Sequence, residues 1–125
     1  MRIIHFGNTM LKKEKEYRWL FFSPSLPERL NWKKNQRLII SVNQNRDLLV
    51  QPLKGKTLKN LVQKSNTYWK IIQLRSPDRY WPKCYIPIPQ ELAEIAGHRK
   101  REILALTGIN QNQLLIMKLI LEIDP

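Results

Sequence analysis

Cys84-Tyr85-Ile86-Pro87-Ile88-Pro89-Gln90-Glu91-Leu92-Ala93-Glu94-Ile95-Ala96-Gly97 is the stretch from which the rest of the chain can be read. Cys84 to Ile88 is apolar, with β-branched and aromatic members, which is a strand signal. Pro89 then opens a short helix, at a position where a missing N–H does no harm. Leu92, Ile95 and Ala96 fall at i, i+3 and i+4 and give that helix one buried face. Gly97 follows as its C-terminal stop.

The same plan occurs earlier. Trp19-Leu20-Phe21-Phe22 reads as a strand, Pro24 as a helix opener, and Pro27 with Leu30 as a helix of about two turns at most. With the two segments offset by 65 residues, Phe21 meets Ile86, Pro24 meets Pro89, Leu30 meets Ile95 and Leu38 meets Ile103. Farther on, Asn43-Gln44-Asn45 answers Asn110-Gln111-Asn112, and Leu48-Leu49-Val50 answers Leu114-Leu115-Ile116 at an offset of 66. Identity is low, so the repeat rests on pattern; two short strand–helix–hairpin stretches can also match by chance.

Working outward, Leu38 to Val42 and Ile103 to Leu106 read as strands entering Asn-rich turns, where Asn tolerates positive φ. Leu48 to Leu53 and Leu114 to Ile120 read as the returning strands. One more strand precedes each unit: Arg2 to Phe6, and Thr67 to Leu74 ahead of the turn Ser76-Pro77-Asp78-Arg79. Each half is therefore β-β-short helix-β-β. The halves span 1–53 and 67–125 and share one core. The basic linker 54–66 carries Leu58, Leu61 and Val62 at helical spacing, an amphipathic helix pattern.

This arrangement resembles the AbrB-type swapped-hairpin DNA-binding family, which includes MazE-like antitoxins and tandem-repeat MraZ regulators. The stretch Ile86 to Gly97 carries the resemblance best, and Ser25-Leu26-Pro27-Glu28-Arg29-Leu30 carries it more weakly. The resemblance implies a mainly β fold with short helices, in which two β-β-α-β-β units interlock as a swapped-hairpin pseudo-dimeric barrel. It also implies DNA binding through basic residues of the first hairpin in each unit. Members often have a Gly-Arg pair just before the proline. Here Arg18-Trp19-Leu20 and Lys83-Cys84-Tyr85 stand in its place. The halves have diverged, so a strictly palindromic target is not implied.

Charge points the same way. Twenty-two Lys and Arg against ten Asp and Glu leave +12 on 125 residues. Such an excess repels itself in a folded chain, so a polyanionic partner is its natural explanation; a basic protein that is merely soluble is the plainer one. The first-hairpin cations are Lys12, Lys13, Lys15 and Arg18 in one half, and Arg75, Arg79 and Lys83 in the other. The loop after each helix offers a rival surface, with Lys33 and Lys34, then Arg99, Lys100 and Arg101. Leu114 to Pro125 carries only Lys118 against Glu122 and Asp124, which suits core or interface better than phosphate.

Catalysis finds little footing. His5 and His98 are the only histidines, and His98 lies in a basic run. Asp47, Asp78 and Asp124 are scattered, and Glu91 and Glu94 read as a solvated helix face. The four glycines form no phosphate loop. Cys84 is the only cysteine, so no internal disulfide forms, and it reads as a small core residue. No cofactor and no metal site is expected. No apolar run approaches the roughly 20 residues needed to span a bilayer, and the N-terminus turns polar too soon for a signal peptide. The expected location is cytoplasmic.

Trp19 and Trp69 lie inside strand-like runs and read as core. Trp32, beside Lys33-Lys34, and Trp81, after Arg79-Tyr80, sit among cations, where they would either stack on exposed bases or staple loops to the core. The sequence reading is thus a non-enzymatic DNA-binding transcriptional regulator that engages double-stranded DNA. Its site residues are Lys12, Lys13, Lys15, Arg18, Arg75, Arg79, Lys83, Arg99 and Arg101. Two rivals stand beside it. One is an RNA or single-strand module stacking on Trp32, Tyr80 and Trp81. The other is an antitoxin-like or adaptor protein that self-associates or meets an acidic protein.

Overall fold

The computed structural model describes residues 3–9, 12–14, 17–63, 68–75, 84–97, 104–110 and 112–118, with side chains for 18–60, 68–75, 84–97, 104–110 and 112–118. The chain opens with strands β1 (Ile3–Thr9), β2 (Lys12–Glu14) and β3 (Tyr17–Phe22). Helix α1 (Ser25–Arg29), strands β4 (Arg37–Val42) and β5 (Leu48–Pro52), and helix α2 (Gly55–Gln63) come next. The second part holds β6 (Trp69–Gln73), β7 (Cys84–Pro89), helix α3 (Gln90–Ile95), β8 (Leu104–Ile109) and β9 (Gln113–Lys118). The fold is mainly β with short helices, and among the described residues all strand pairings are antiparallel.

Local chemistry accounts for the elements. Both short helices follow a proline, Pro24 before α1 and Pro89 before α3. Gly97 ends the second at φ +72°, with its N–H donating to the Glu94 carbonyl at 2.9 Å. The β4–β5 turn is closed by Asn43, whose Oδ1 accepts the amides of Asn45 and Asp47, each at 2.9 Å. In that turn the positive φ falls on Arg46, whereas in the β8–β9 turn it falls on Asn110. Strand β2 holds only Lys-Lys-Glu and owes its form to pairing with β3.

Six strands form one sheet in the order β1-β8-β9-β5-β4-β6, and three form a second in the order β2-β3-β7. Strand β1 pairs with β8 of the hairpin β8–β9, and β6 pairs with β4 of the hairpin β4–β5. Strands distant in sequence also meet. Strand β5 pairs with β9, with Leu49 opposite Leu115; β3 pairs with β7, with Leu20 opposite Ile86. Both of these pairs are 66 residues apart.

The expected closure into a barrel is not found. The large sheet is open among the described residues, ending at β1 and β6, which do not pair with each other. The reason lies in the chain beyond those edges: after β1 it passes to β2, and Arg75, just after β6, bridges to Tyr85 of β7. The small sheet thus encloses the core that barrel closure would otherwise have to enclose. One apolar cluster draws Leu20, Phe22, Ile86 and Ile88 from the small sheet, Leu38, Ile40, Leu48, Val50, Leu104, Leu106, Leu114 and Ile116 from the large one, and Leu26 and Leu92 from the helices. It takes side chains from both ends of the chain, and Leu20, Leu38, Ile40, Ile86 and Ile88 are fully enclosed. Helix α2 occupies most of the basic linker, with Lys56 and Lys59 exposed and Leu58 half-buried. Among the described residues no helix is long and apolar enough to cross a membrane.

Candidate nucleic-acid interface

The small sheet brings together cations that lie far apart in sequence. Register places Lys12 opposite Trp19 and Lys13 opposite Arg18 on one side of β3. On the other side, β3 is paired with β7 over its whole length, from Tyr17 opposite Pro89 to Phe22 opposite Cys84. The far edge of β7 is extended at one point, where Arg75 and Tyr85 exchange two backbone hydrogen bonds of 2.9 and 3.0 Å. Arg75 is exposed. Lys12, Lys13, Arg18 and Arg75 therefore belong to a single sheet, with Lys12 and Lys13 on one border and Arg75 on the other.

Strand alternation sorts the faces of this sheet. Leu20, Phe22, Cys84, Ile86 and Ile88 point into the core. Trp19, Phe21, Tyr85 and Pro87 are half-buried on the opposite, outer face. Arg18 shares the parity of Leu20 and Phe22 and is half-buried near the end of the sheet, so its guanidinium is not on the face of Trp19. On the outer face Trp19 meets Tyr85 edge-to-face, with centroids 5.4 Å apart and planes at 78°. Phe21 meets Tyr85 at 5.5 Å and 41°. Such pairs contribute about 0.5–1.5 kcal/mol beyond their burial.

The tryptophans depart from the sequence reading. Trp32 is 6% exposed, and its Nε1–H donates to the Asn112 carbonyl at 2.8 Å. It ties the loop after α1 to the β8–β9 turn and offers no face to a base. Of the two roles open to it, the structure places it in the stapling one. Trp19, expected in the core, lies on the outer face, and Trp69 is half-buried on an edge strand. Tyr80 and Trp81 lie outside the described residues, as do the candidates Lys15, Arg79, Lys83, Arg99 and Arg101. The side chains of Lys12 and Lys13 also lie outside them. In the rival loop, Lys33 and Lys34 are exposed.

The patch of Trp19, Phe21 and Tyr85 was missed from sequence, although a signal existed. Residues two apart on a strand share a face, so Trp19 with Phe21 against Leu20 with Phe22 already separates two apolar faces.

The surface between β6 and α3 suits an anion less well. A cleft of about 470 Å³ between β6 and α3 is lined by Lys70, Ile71, Ile72, Pro89, Gln90, Glu91 and Glu94. Among the described residues Glu91 and Glu94 offset Lys70 there, and Lys70 Nζ lies 3.9 Å from Glu91 Oε2 with both side chains more than half exposed. An ion pair in that setting is worth at most about 1 kcal/mol. Among the described residues no three of His, Cys, Asp or Glu gather as a metal site. Cys84 is 3% exposed, and burial pushes its thiol pKa up, away from the reactive thiolate. No protein-family model, curated protein or solved structure matches this chain.

Proposed function

We propose that this chain binds double-stranded DNA through the borders of the β2-β3-β7 sheet, as a transcriptional regulator built on a tandem swapped-hairpin plan. The observation that carries the reading is that Lys12 and Lys13 stand on one border of a single sheet and Arg75 on the other, from positions scattered along the first three-fifths of a chain bearing +12. Lys and Arg so placed neutralise phosphates and release condensed counterions, and an Arg fork suits the O6/N7 edge of guanine. The tandem plan is supported by the exchange of first strands between halves and by Leu49 opposite Leu115, positions matched by the repeat that meet each other across β5 and β9. In this plan the halves 1–53 and 67–125 supply one hairpin each to a shared core.

The test is binding to a labelled random duplex across a salt series, with subsequent selection of bound genomic fragments. Contact with six to ten phosphates lowers affinity roughly 10³- to 10⁵-fold between 50 and 200 mM salt. An affinity that ignores salt would overturn the reading and favour an adaptor that meets another protein.

A further inference from the structure

We infer that a second surface, at the end of the large sheet where β4 begins and β5 and β6 finish, holds the phosphate backbone of the same duplex, an inference that rests on the proposed DNA binding. Three strands come to that end side by side. The Leu53 N–H donates to the Arg37 carbonyl at 2.9 Å, which sets the residues after β5 beside the start of β4. The Leu74 N–H donates to the Gln36 carbonyl at 2.9 Å, and Arg37 stands opposite Gln73, which sets the end of β6 on the other side. Lys33, Lys34 and Arg37 are thereby joined by Lys54, Lys56 and Arg75 from two other parts of the chain, and all six are exposed. Adjacent strands lie about 4.8 Å apart, so the three strand ends span about 10 Å. One DNA strand presents about three phosphates over that distance, at about 3.4 Å of rise each. Arg75 also bridges to Tyr85 of β7, so the surface is continuous with that border of the small sheet.

Solubility does not account for this arrangement. Charge that serves solubility alone mixes both signs over a surface. From Arg29 to Pro77 the chain holds eleven Lys and Arg against one acid, Asp47, which lies beyond the other end of β4. Among the described residues none of the six cations pairs with a carboxylate. Two of them also stand where folding disfavours them. The Lys54 carbonyl accepts the Leu58 N–H at 3.0 Å and so opens α2, and Lys56 lies in its first turn, which holds no acidic residue. The positive end of the helix dipole repels cations there. A polyanion relieves that repulsion and the mutual repulsion of the row together. Continuity with the Arg75 border selects the duplex as that polyanion. Contacts made to phosphates carry no sequence information, so this surface strengthens and orients binding without choosing the site.

The experiment measures the affinity of the full chain and of single variants for one labelled random duplex of about 30 base pairs, by fluorescence anisotropy between about 50 and 200 mM salt. Each phosphate contact adds about 0.9 to the slope of log affinity against log salt, so removing one shrinks the loss over that fourfold range by about 3.5-fold. Arg37→Gln and Lys54→Gln are each expected to show that reduction, with Tm kept because both side chains are exposed. Arg46→Gln removes the same charge from the β4–β5 turn, about 20 Å away along β4, and is expected to keep the wild-type slope. Wild-type slopes for Arg37→Gln and Lys54→Gln, or an equal fall for Arg46→Gln, overturn the second surface, since charge then acts through the general field alone. Steep salt dependence in the unaltered chain leaves the proposed function standing in either case. If the unaltered chain binds no duplex at the lowest salt, both fall together, and binding of polyglutamate instead would assign the row to an acidic protein.

Discussion

Replacing Trp32 with Phe tests how the two ends of the chain are tied. The indole is 6% exposed, and its N–H bonds the Asn112 carbonyl at 2.8 Å, across 80 residues of sequence. Phe keeps a ring but deletes that donor and part of the buried volume. A carbonyl left without its partner costs about 1–3 kcal/mol, and the smaller ring adds to this, so about 1.5–3 kcal/mol is expected in all. With an unfolding entropy near 2.1 cal/mol/K per residue, a chain of 125 residues loses about 4 °C in Tm per kcal/mol. The fall should therefore be about 6–11 °C, read by thermal unfolding in far-ultraviolet circular dichroism. Hydrogen exchange at the β8–β9 turn should quicken in parallel, while DNA affinity stays at its wild-type level because Trp32 offers no face to the ligand. A Tm within about 2 °C of wild type would show that the contact does not hold the loops together, and the reasoning would fail.

Gly97→Ala places a Cβ at φ +72°, with Lys118 Nζ 2.8 Å away; the flexible lysine tip can swing aside, so the backbone sets a cost of about 1 kcal/mol, or about 4 °C in Tm. Asp47 has its pKa raised above 3.8 by burial, which outweighs the lowering effect of its hydrogen bond with Asn43. The folded state thus binds that proton more tightly than the unfolded state, and the group favours folding as pH falls through the interval between its raised and ordinary pKa. Asp47→Asn should therefore raise Tm at neutral pH, with the advantage shrinking as the medium becomes acidic; an advantage that grows on acidification would contradict the sign. Arg75→Glu with Arg79→Glu is expected to abolish duplex binding, whereas Arg99→Glu with Arg101→Glu should weaken it modestly through the general field; a gel shift showing the reverse would move the interface to the loop after α3. Residues 67–125 expressed alone should dimerise or fail to fold, and a stable monomer in sedimentation would count against interlocked halves.

The sequence showed its elements more plainly than their pairing. Cys84 to Gly97 declares strand, proline, helix and glycine in order, and each appears where its chemistry requires. The linker helix matches the spacing of Leu58, Leu61 and Val62. Strand β2 was not legible, because Lys12-Lys13-Glu14 has no β propensity of its own and becomes a strand only beside Tyr17 to Trp19. Trp19 was misread as core for a related reason: in Trp19-Leu20-Phe21-Phe22 both faces are apolar, so composition hides the alternation. The candidate interface depends on partners more than on composition. Nothing in Arg75 or Tyr85 taken singly says that they exchange hydrogen bonds across the edge of β7, or that this edge faces away from Lys12. The barrel expectation failed at the same level, since it concerned which edges meet.

Where β3 meets β7 and β5 meets β9, Leu20 faces Ile86 and Leu49 faces Leu115, and apolar cross-strand pairs of this kind hold strands in register. The outer strands of the large sheet are less alike. Strand β1 slips register between His5 and Gly7 against β8, while β6 runs without a slip along β4. A bulge bends a strand, so the two edges of the large sheet differ, and the borders of the small sheet differ as well. One border of that sheet then receives a three-residue strand carrying two lysines, and on the other border a single bridge presents one arginine. A DNA site contacted by both borders therefore meets two unlike sets of cations. Sites recovered by selection should show two different half-sites, and a perfect palindrome would gain little over either half-site paired with its natural neighbour.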